Sequence, residues 1–108
     1  MTVRFRVGES FALAADVQGV WSGRPVLLLH GGGQTREAWG STVSMLDDAG
    51  FLVINLDLRG HGCSDWAPDG DYSFNAYARD LQAVVDQIGQ PVALVGYSLG
   101  GLISLIAA

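Results

Sequence analysis

Ser98 is the residue whose setting could do chemistry. It stands in Gly96-Tyr97-Ser98-Leu99-Gly100-Gly101, after the apolar run Pro91 to Val95 and before the apolar run Leu102 to Ala108. That order reads as strand, tight turn and helix. A serine hydroxyl lying flat in a loop is a poor nucleophile, whereas a sharp strand-to-helix turn lifts its oxygen clear of the sheet. Such a turn needs glycine, and Gly96 and Gly100 flank Ser98 at two residues on either side, where a side chain would collide with the bent backbone or a neighbouring strand. The pattern is G-x-S-x-G. A serine in an ordinary glycine-rich loop would also match it, but the strand-like and helix-like flanks favour a nucleophile.

Two further stretches are rich in groups that could act. One is His30-Gly31-Gly32-Gly33, and the other runs from Asp57 through Leu58-Arg59-Gly60-His61-Gly62-Cys63-Ser64 to Asp65. His30 ends an apolar run, so it is expected to order the glycine loop by hydrogen bonding rather than to serve as a base. Asp57 and Arg59 are expected to tie a loop to the sheet. Cys63 lies near His61 but lacks an elbow, which argues against a thiol nucleophile. The spacing of His30, His61, Cys63 and Asp65 matches no structural zinc site, so no metal is expected. Neither G-x-x-x-x-G-K-[ST] nor G-x-G-x-x-G is present, so no nucleotide or other cofactor is expected.

The elements that must hold these residues follow from periodicity. Val3-Arg4-Phe5-Arg6-Val7 alternates, and Phe11 to Val17 can pair with it as a hairpin. Val26-Leu27-Leu28-Leu29 is continuously apolar, as a parallel strand covered on both faces is, and Phe51 to Asp57 reads as a second buried strand. From Thr35 to Gly50 one helix is predicted, with Trp39, Val43 and Leu46 at i, i+4 and i+7. A second follows the N-cap Ser73, with Phe74, Ala78, Leu81, Val84, Val85 and Ile88 in one stripe and Gly89 and Pro91 as its end. Strand and helix then alternate, which implies a mostly parallel sheet with helices on both faces and a site outside the carboxyl ends of its strands. His30, Asp57 and Ser98 all fall at such ends.

Composition narrows the partners. At 108 residues, 49% hydrophobic and 16% charged, the chain makes at most one domain with a real core. A net charge of −5 with only six basic residues argues against nucleic acid and against anionic membranes. No run is apolar enough to span a bilayer, and no secretory leader is recognisable. One cysteine fits a reducing compartment, so a cytoplasmic setting is expected.

Jointly the three motifs resemble the N-terminal half of an α/β-hydrolase-fold enzyme, and the resemblance runs from Val3 to Ala108. It implies that Ser98 is the nucleophile and that the oxyanion hole combines the amide of Leu99 with that of Gly32, in a loop supported by His30, Gly31 and Gly33. Leu99 also begins a helix, whose positive end favours the same anion. His61 falls where the family tolerates many residues. Family members that open epoxides or cleave carbon–halogen bonds share Asp-Leu-Arg-Gly-His-Gly but carry Asp at the elbow, so Ser98 favours acyl transfer and hydrolysis of a small carboxylic ester or related acyl substrate. A cofactor-free perhydrolase, a carbon–carbon hydrolase and a non-catalytic ligand-binding member remain the alternatives. The family's triad continues with an acid and then a histidine after the elbow. The chain is therefore expected to be the N-terminal portion of a single α/β-hydrolase domain, prone by itself to associate through Val92 to Val95. On that expectation residues 1–108 alone hydrolyse p-nitrophenyl acetate no faster than their Ser98→Ala variant, and a clear Ser98-dependent rate that vanishes in His30→Ala would contradict it.

Overall fold

Alternation of apolar residues with arginines lets the opening segment lay one face on a core, and β1 (Thr2–Gly8) pairs antiparallel with β2 (Phe11–Gln18). The computed structural model describes residues 1–108. The two runs expected to be buried strands become β3 (Pro25–Leu29) and β4 (Leu52–Leu56), buried at every position, and β5 (Ala93–Gly96) follows. The sheet order is β1-β2-β4-β3-β5. β4, β3 and β5 run parallel to one another, and β2 joins β4 antiparallel, so the sheet is mixed, with its hairpin at one side.

Successive side chains of a strand point to opposite faces, and the core is divided accordingly. Leu13, Leu27, Leu29, Ile54 and Leu56 face one side, where Tyr77, Leu81, Val84 and Ile103 meet them from α2 (Phe74–Ile88) and α3 (Leu99–Ala107). Val26, Leu28 and Val53 face the other, under Trp39, Val43 and Leu46. The chain passes from β3 to its neighbour β4 in one direction, then crosses back to β5 on the far side of β3. That reversal brings the carboxyl ends of β3 and β5 together, which is where open α/β sheets form their sites.

Two expectations change. The single helix predicted from Thr35 to Gly50 is two: a 3-10 turn at Arg36–Trp39, then α1 at Ser41–Asp48. Gly40 separates them, because its φ of 49° and ψ of −125° leave helical space. In α2 the predicted stripe begins a turn too early. Phe74 is 52% exposed, and the first large side chain in the core is that of Tyr77. Phe74 and Leu81 share an angular position at seven residues apart, so its exposure is axial: it lies a turn beyond the core. The Ser73 cap is present, its hydroxyl accepting the Ala76 N–H at 3.2 Å, and Gly89 ends the helix at φ 76°. Beyond β5 the sheet has no further strand, and Leu102, Leu105 and Ile106 of α3 are exposed.

One charged residue lies on the buried face of α2. Asp80 accepts both Nε and Nη2 of Arg59 at 2.6 and 2.7 Å, while Arg59 Nη1 donates to the Asp71 carbonyl at 2.6 Å. The guanidinium also lies 4.8 Å from the Phe11 ring centroid, within the range of a cation–π contact. Both partners are buried, so removing one strands the other's charge in the core. Asp80→Ala is expected to lower unfolding free energy by about 3–5 kcal/mol, read from urea denaturation; a loss below about 1 kcal/mol, the scale of an exposed pair, would show that the bridge is solvated.

Candidate active site

The elbow is built by close approach. Gly96 ends β5, Ser98 precedes α3, and between them the chain turns sharply enough to put Ser98 at φ 54° and ψ −112°. A Cβ on Gly96 would lie 2.5 Å from the backbone of Gly100 and Gly101, and one on Gly100 would lie 2.0 Å from the Leu29 carbonyl oxygen. No side chain fits at either place. The Tyr97 N–H donates to the Leu29 carbonyl at 3.1 Å, fastening the turn to the end of β3. Ser98 is exposed, and its hydroxyl makes no hydrogen bond within the chain.

The loop after β3 lies against this turn. The Cβ position of Gly32 is 3.6 Å from Leu99 Cδ2, and that of Gly31 is 3.1 Å from Tyr97 Cδ2. The N–H groups of Gly31 and Gly33 donate to Gln34 Oε1 and His61 Nε2 at 2.9 and 3.0 Å, but those of Gly32 and Leu99 have no acceptor. Leu99 is unpaired because it opens α3, where the first N–H groups have no intrahelical partner.

Both histidines are engaged at both nitrogens. His30 Nε2 accepts the Leu58 N–H at 3.0 Å, so its Nδ1 carries the proton and donates to the Gly31 carbonyl at 2.7 Å. His61 Nε2 accepts from Gly33, and its Nδ1 donates to the Arg59 carbonyl at 2.9 Å. Each imidazole reaches from its own loop to the other, with ring centroids 5.0 Å apart. Neither contacts Ser98 through a hydrogen bond. His61 thus occupies a defined bonding position, and the Gln34 side chain bonds within the glycine loop as well. A polar side chain three residues after Gly31 is a faint local signal for Gln34. None exists for His61, whose partner lies 28 residues away.

Asp57 and Arg59 do not pair with each other. Asp57 is fully buried and accepts the N–H groups of Arg36 and Cys63 at 2.7 and 2.9 Å, and the Arg36 guanidinium bonds it as well. Arg36 Nε reaches on to Asp16 in β2 at 2.9 Å, a pairing that raises the guanidinium's affinity for its proton. A Cβ on Gly62 would sit 2.3 Å from the Asp57 carboxylate, so the loop closes over this group only with glycine there. Ser64 Oγ donates to the Asp57 carbonyl and accepts the Ala14 N–H. Cys63 is exposed. No group of three His, Cys, Asp or Glu side chains converges as metal ligands would. Beside the elbow lies a cleft of about 200 Å³ lined by His30, Gln34, Ala38, Trp39 and Tyr97.

The family described as alpha/beta hydrolase fold matches residues 24–108. An uncharacterized protein of Mycobacterium tuberculosis is 40% identical over 107 residues, covering 96% of this chain and 30% of its own length. Among solved structures, a bromoperoxidase from Bacillus anthracis superposes with a TM-score of 0.90 at 29% identity, over 99% of this chain and 38% of its own. An esterase from Exiguobacterium antarcticum gives 0.82 at 33% identity, over 90% and 35%. The chain spans about a third of the length of the curated relatives it matches.

Burial holds the His30 imidazole below its ordinary pKa of 6.5, reinforced by the nearby His61 and opposed by the Gly31 carbonyl and Asp57. The unfolded chain therefore takes up this proton first as pH falls. His30 leaves stability intact above about pH 6.5 and lowers it progressively below. Protonation also gives Nε2 a hydrogen where it must accept one from Leu58. The thermal midpoint should fall between about pH 7.5 and 5.5, and less steeply in His30→Asn. Equal slopes in both proteins would remove His30 as the cause.

Proposed function

We propose that this chain, which belongs to the α/β-hydrolase fold family, carries the nucleophile and the anion-binding amides of a serine hydrolase acting on a small carboxylic ester or related acyl compound. One observation carries the reading: Ser98 stands at positive φ on a glycine-flanked turn, with two amides that lack acceptors, those of Gly32 and Leu99, on neighbouring segments, a Cβ on Gly32 lying 3.6 Å from Leu99 Cδ2. In the proposed reaction Ser98 Oγ bonds to the acyl carbon as its proton passes to a base. The carbonyl oxygen takes up negative charge between the two N–H groups, and the alcohol leaves to give an acyl-enzyme. Water then attacks the ester and releases the acid. Because both nitrogens of His30 and of His61 are already bonded, the base in this reading is a histidine of the intact protein that follows the elbow, as in the family order.

The choice of acyl chemistry rests on Ser98 itself, since epoxide- and halide-cleaving relatives use Asp at the elbow. The cleft beside the elbow, lined by His30, Gln34, Ala38, Trp39 and Tyr97, gives a small substrate one wall against which to lie. The chain's net charge of −5 supports a small-molecule partner over nucleic acid. A cytoplasmic setting belongs to the same reading, supported by the free thiol of Cys63. No helix is long and apolar enough to cross a membrane.

Likeness to a bromoperoxidase favours a second reading, in which hydrogen peroxide instead of water releases the acyl group as a peracid. Both readings share the adduct at Ser98. A fluorophosphonate probe on the intact protein should label Ser98 and leave Ser98→Ala unmodified, as read by peptide mass spectrometry. Labelling elsewhere, or equal labelling of the variant, would refute both. The ratio of acid to peracid formed from one ester with added peroxide then decides between them.

A further inference from the structure

From Gly31 to Gln34 the N–H groups are accounted for with one exception. Gly31 donates to Gln34 Oε1, Gly33 to His61 Nε2 and Gln34 to the Gly31 carbonyl; Gly32 donates to nothing in the chain. An amide left open for a ligand has no bond of its own to hold it. Its direction must come from its neighbours, because the trans peptide is planar and only the rotations on either side are soft.

The peptide plane that carries the Gly32 N–H also carries the Gly31 carbonyl, and that oxygen accepts from His30 Nδ1 at 2.7 Å and from the Gln34 N–H at 3.1 Å. The following plane joins Gly32 to Gly33. Its sole hydrogen bond within the chain is the one from the Gly33 N–H to His61 Nε2 at 3.0 Å. Packing does not substitute for that bond. Gly33 is exposed at φ 76°, with nothing within 4 Å of its Cβ position. His61, by contrast, is well held: Nδ1 donates to the Arg59 carbonyl, and the Arg59 side chain is fixed twice to Asp80.

We infer that His61 is a positioning residue: by accepting the Gly33 N–H it fixes the peptide plane after Gly32, and so holds from that side the glycine turn whose other plane carries the unpaired Gly32 N–H. The inference rests on the reading of Gly32 and Leu99 as the amides that meet the oxyanion. It gives His61 no contact with substrate and no proton to move, since both ring nitrogens are occupied. Its effect is on the transition state, where the oxygen is most negative, so loss of the bond acts on kcat more than on KM.

Two replacements separate this role from general support of the loop. Glutamine can place Oε1 about where imidazole has Nε2, and so can still accept from Gly33. Asparagine reaches only about as far as Nδ1; it keeps the link to Arg59 and loses the one to Gly33. In the intact protein, with a p-nitrophenyl ester as substrate, His61→Asn and His61→Ala should lower kcat by about 10–100-fold with KM within about twofold, and His61→Gln should recover most of the rate. Hydrogen exchange should show the Gly33 amide protected in the parent and in His61→Gln, and fast in the other two. Equal kcat in His61→Asn and His61→Gln, with Ser98 still labelled by a fluorophosphonate, would overturn this inference alone. Absence of label at Ser98 in the parent would overturn the functional reading on which it rests. Equal Gly33 exchange in all four proteins would overturn the bond itself, whatever the enzyme does.

Discussion

The first turn of α3 presses on the end of β3 so closely that residue 100 has no room for a side chain: its Cβ would lie 2.0 Å from the Leu29 carbonyl oxygen and 2.8 Å from that of His30. This contact places Ser98. With α3 held there, the chain leaving β5 must reverse within Tyr97 and Ser98, and Ser98 takes a φ of 54° that costs a non-glycine residue roughly 1–3 kcal/mol. Hydrogen bonds offset the strain, from the Tyr97 N–H to Leu29, from Gly100 to Tyr97 and from Leu102 to Ser98. Burial of Ile103 one turn into the helix adds to them. A rigid support is also required, and β3 provides one, since it is paired on both sides and buried throughout.

The loop after β4 presents the opposite difficulty. From Asp57 to Ser73 it is polar and glycine-rich, and apolar packing cannot define its path. Ionic contacts at least partly buried do so instead. Asp57 gathers the backbone of Arg36 and Cys63 together with the Arg36 side chain, while Arg59 reaches past Phe11 to Asp80. Desolvating such groups is expensive, and a buried pair adds little net stability over an apolar replacement. What these pairs supply here is a single geometry: Arg36 fixes the 3-10 turn after the glycine loop, and Arg59 fixes the backbone carbonyl that His61 uses.

The parts legible in the sequence were those with local causes. Runs of Val, Leu and Ile marked β3 and β4, Ser73 and Gly89 marked the ends of α2, and the glycines around Ser98 marked the turn, because each acts through its own backbone or its immediate neighbours. Gly40 lacks such a cause. A single glycine inside an amphipathic pattern usually costs a helix about 1 kcal/mol without ending it, and nothing nearby announces that this one adopts φ 49°. Asp80 was hidden among the polar residues of α2, since a carboxylate facing the core is explained only by Arg59, 21 residues earlier. His61 gives no local signal of its bond to Gly33 either. Its neighbours are glycines and a cysteine, and its partner becomes adjacent only when β3 and β4 lie side by side.

If Gly32 and Leu99 are the anion-binding amides proposed above, their role imposes a requirement that helps explain why so many polar side chains crowd the ends of β3 and β4. Ordinary loops are held by satisfying their own N–H groups, but an amide that must meet a substrate oxygen cannot be tied down that way. Leu99 escapes the conflict because the helix it opens fixes its direction while leaving its N–H free. Gly32 has no helix. Its orientation has to be imposed from the planes before and after it, by acceptors and donors that do not compete for its own hydrogen. His30, Gln34 and His61 have those chemical types and stand at those places. An apolar residue at position 61 would leave the Gly33 N–H without its partner, one at 34 would do so for the Gly31 N–H, and one at 30 would leave the Gly31 carbonyl with the Gln34 N–H alone. In the proposed reading the two imidazoles, one buried and one partly so, serve a different purpose from the proton transfer for which histidine is usually sought: they bond the backbone on either side of an amide that stays unbonded.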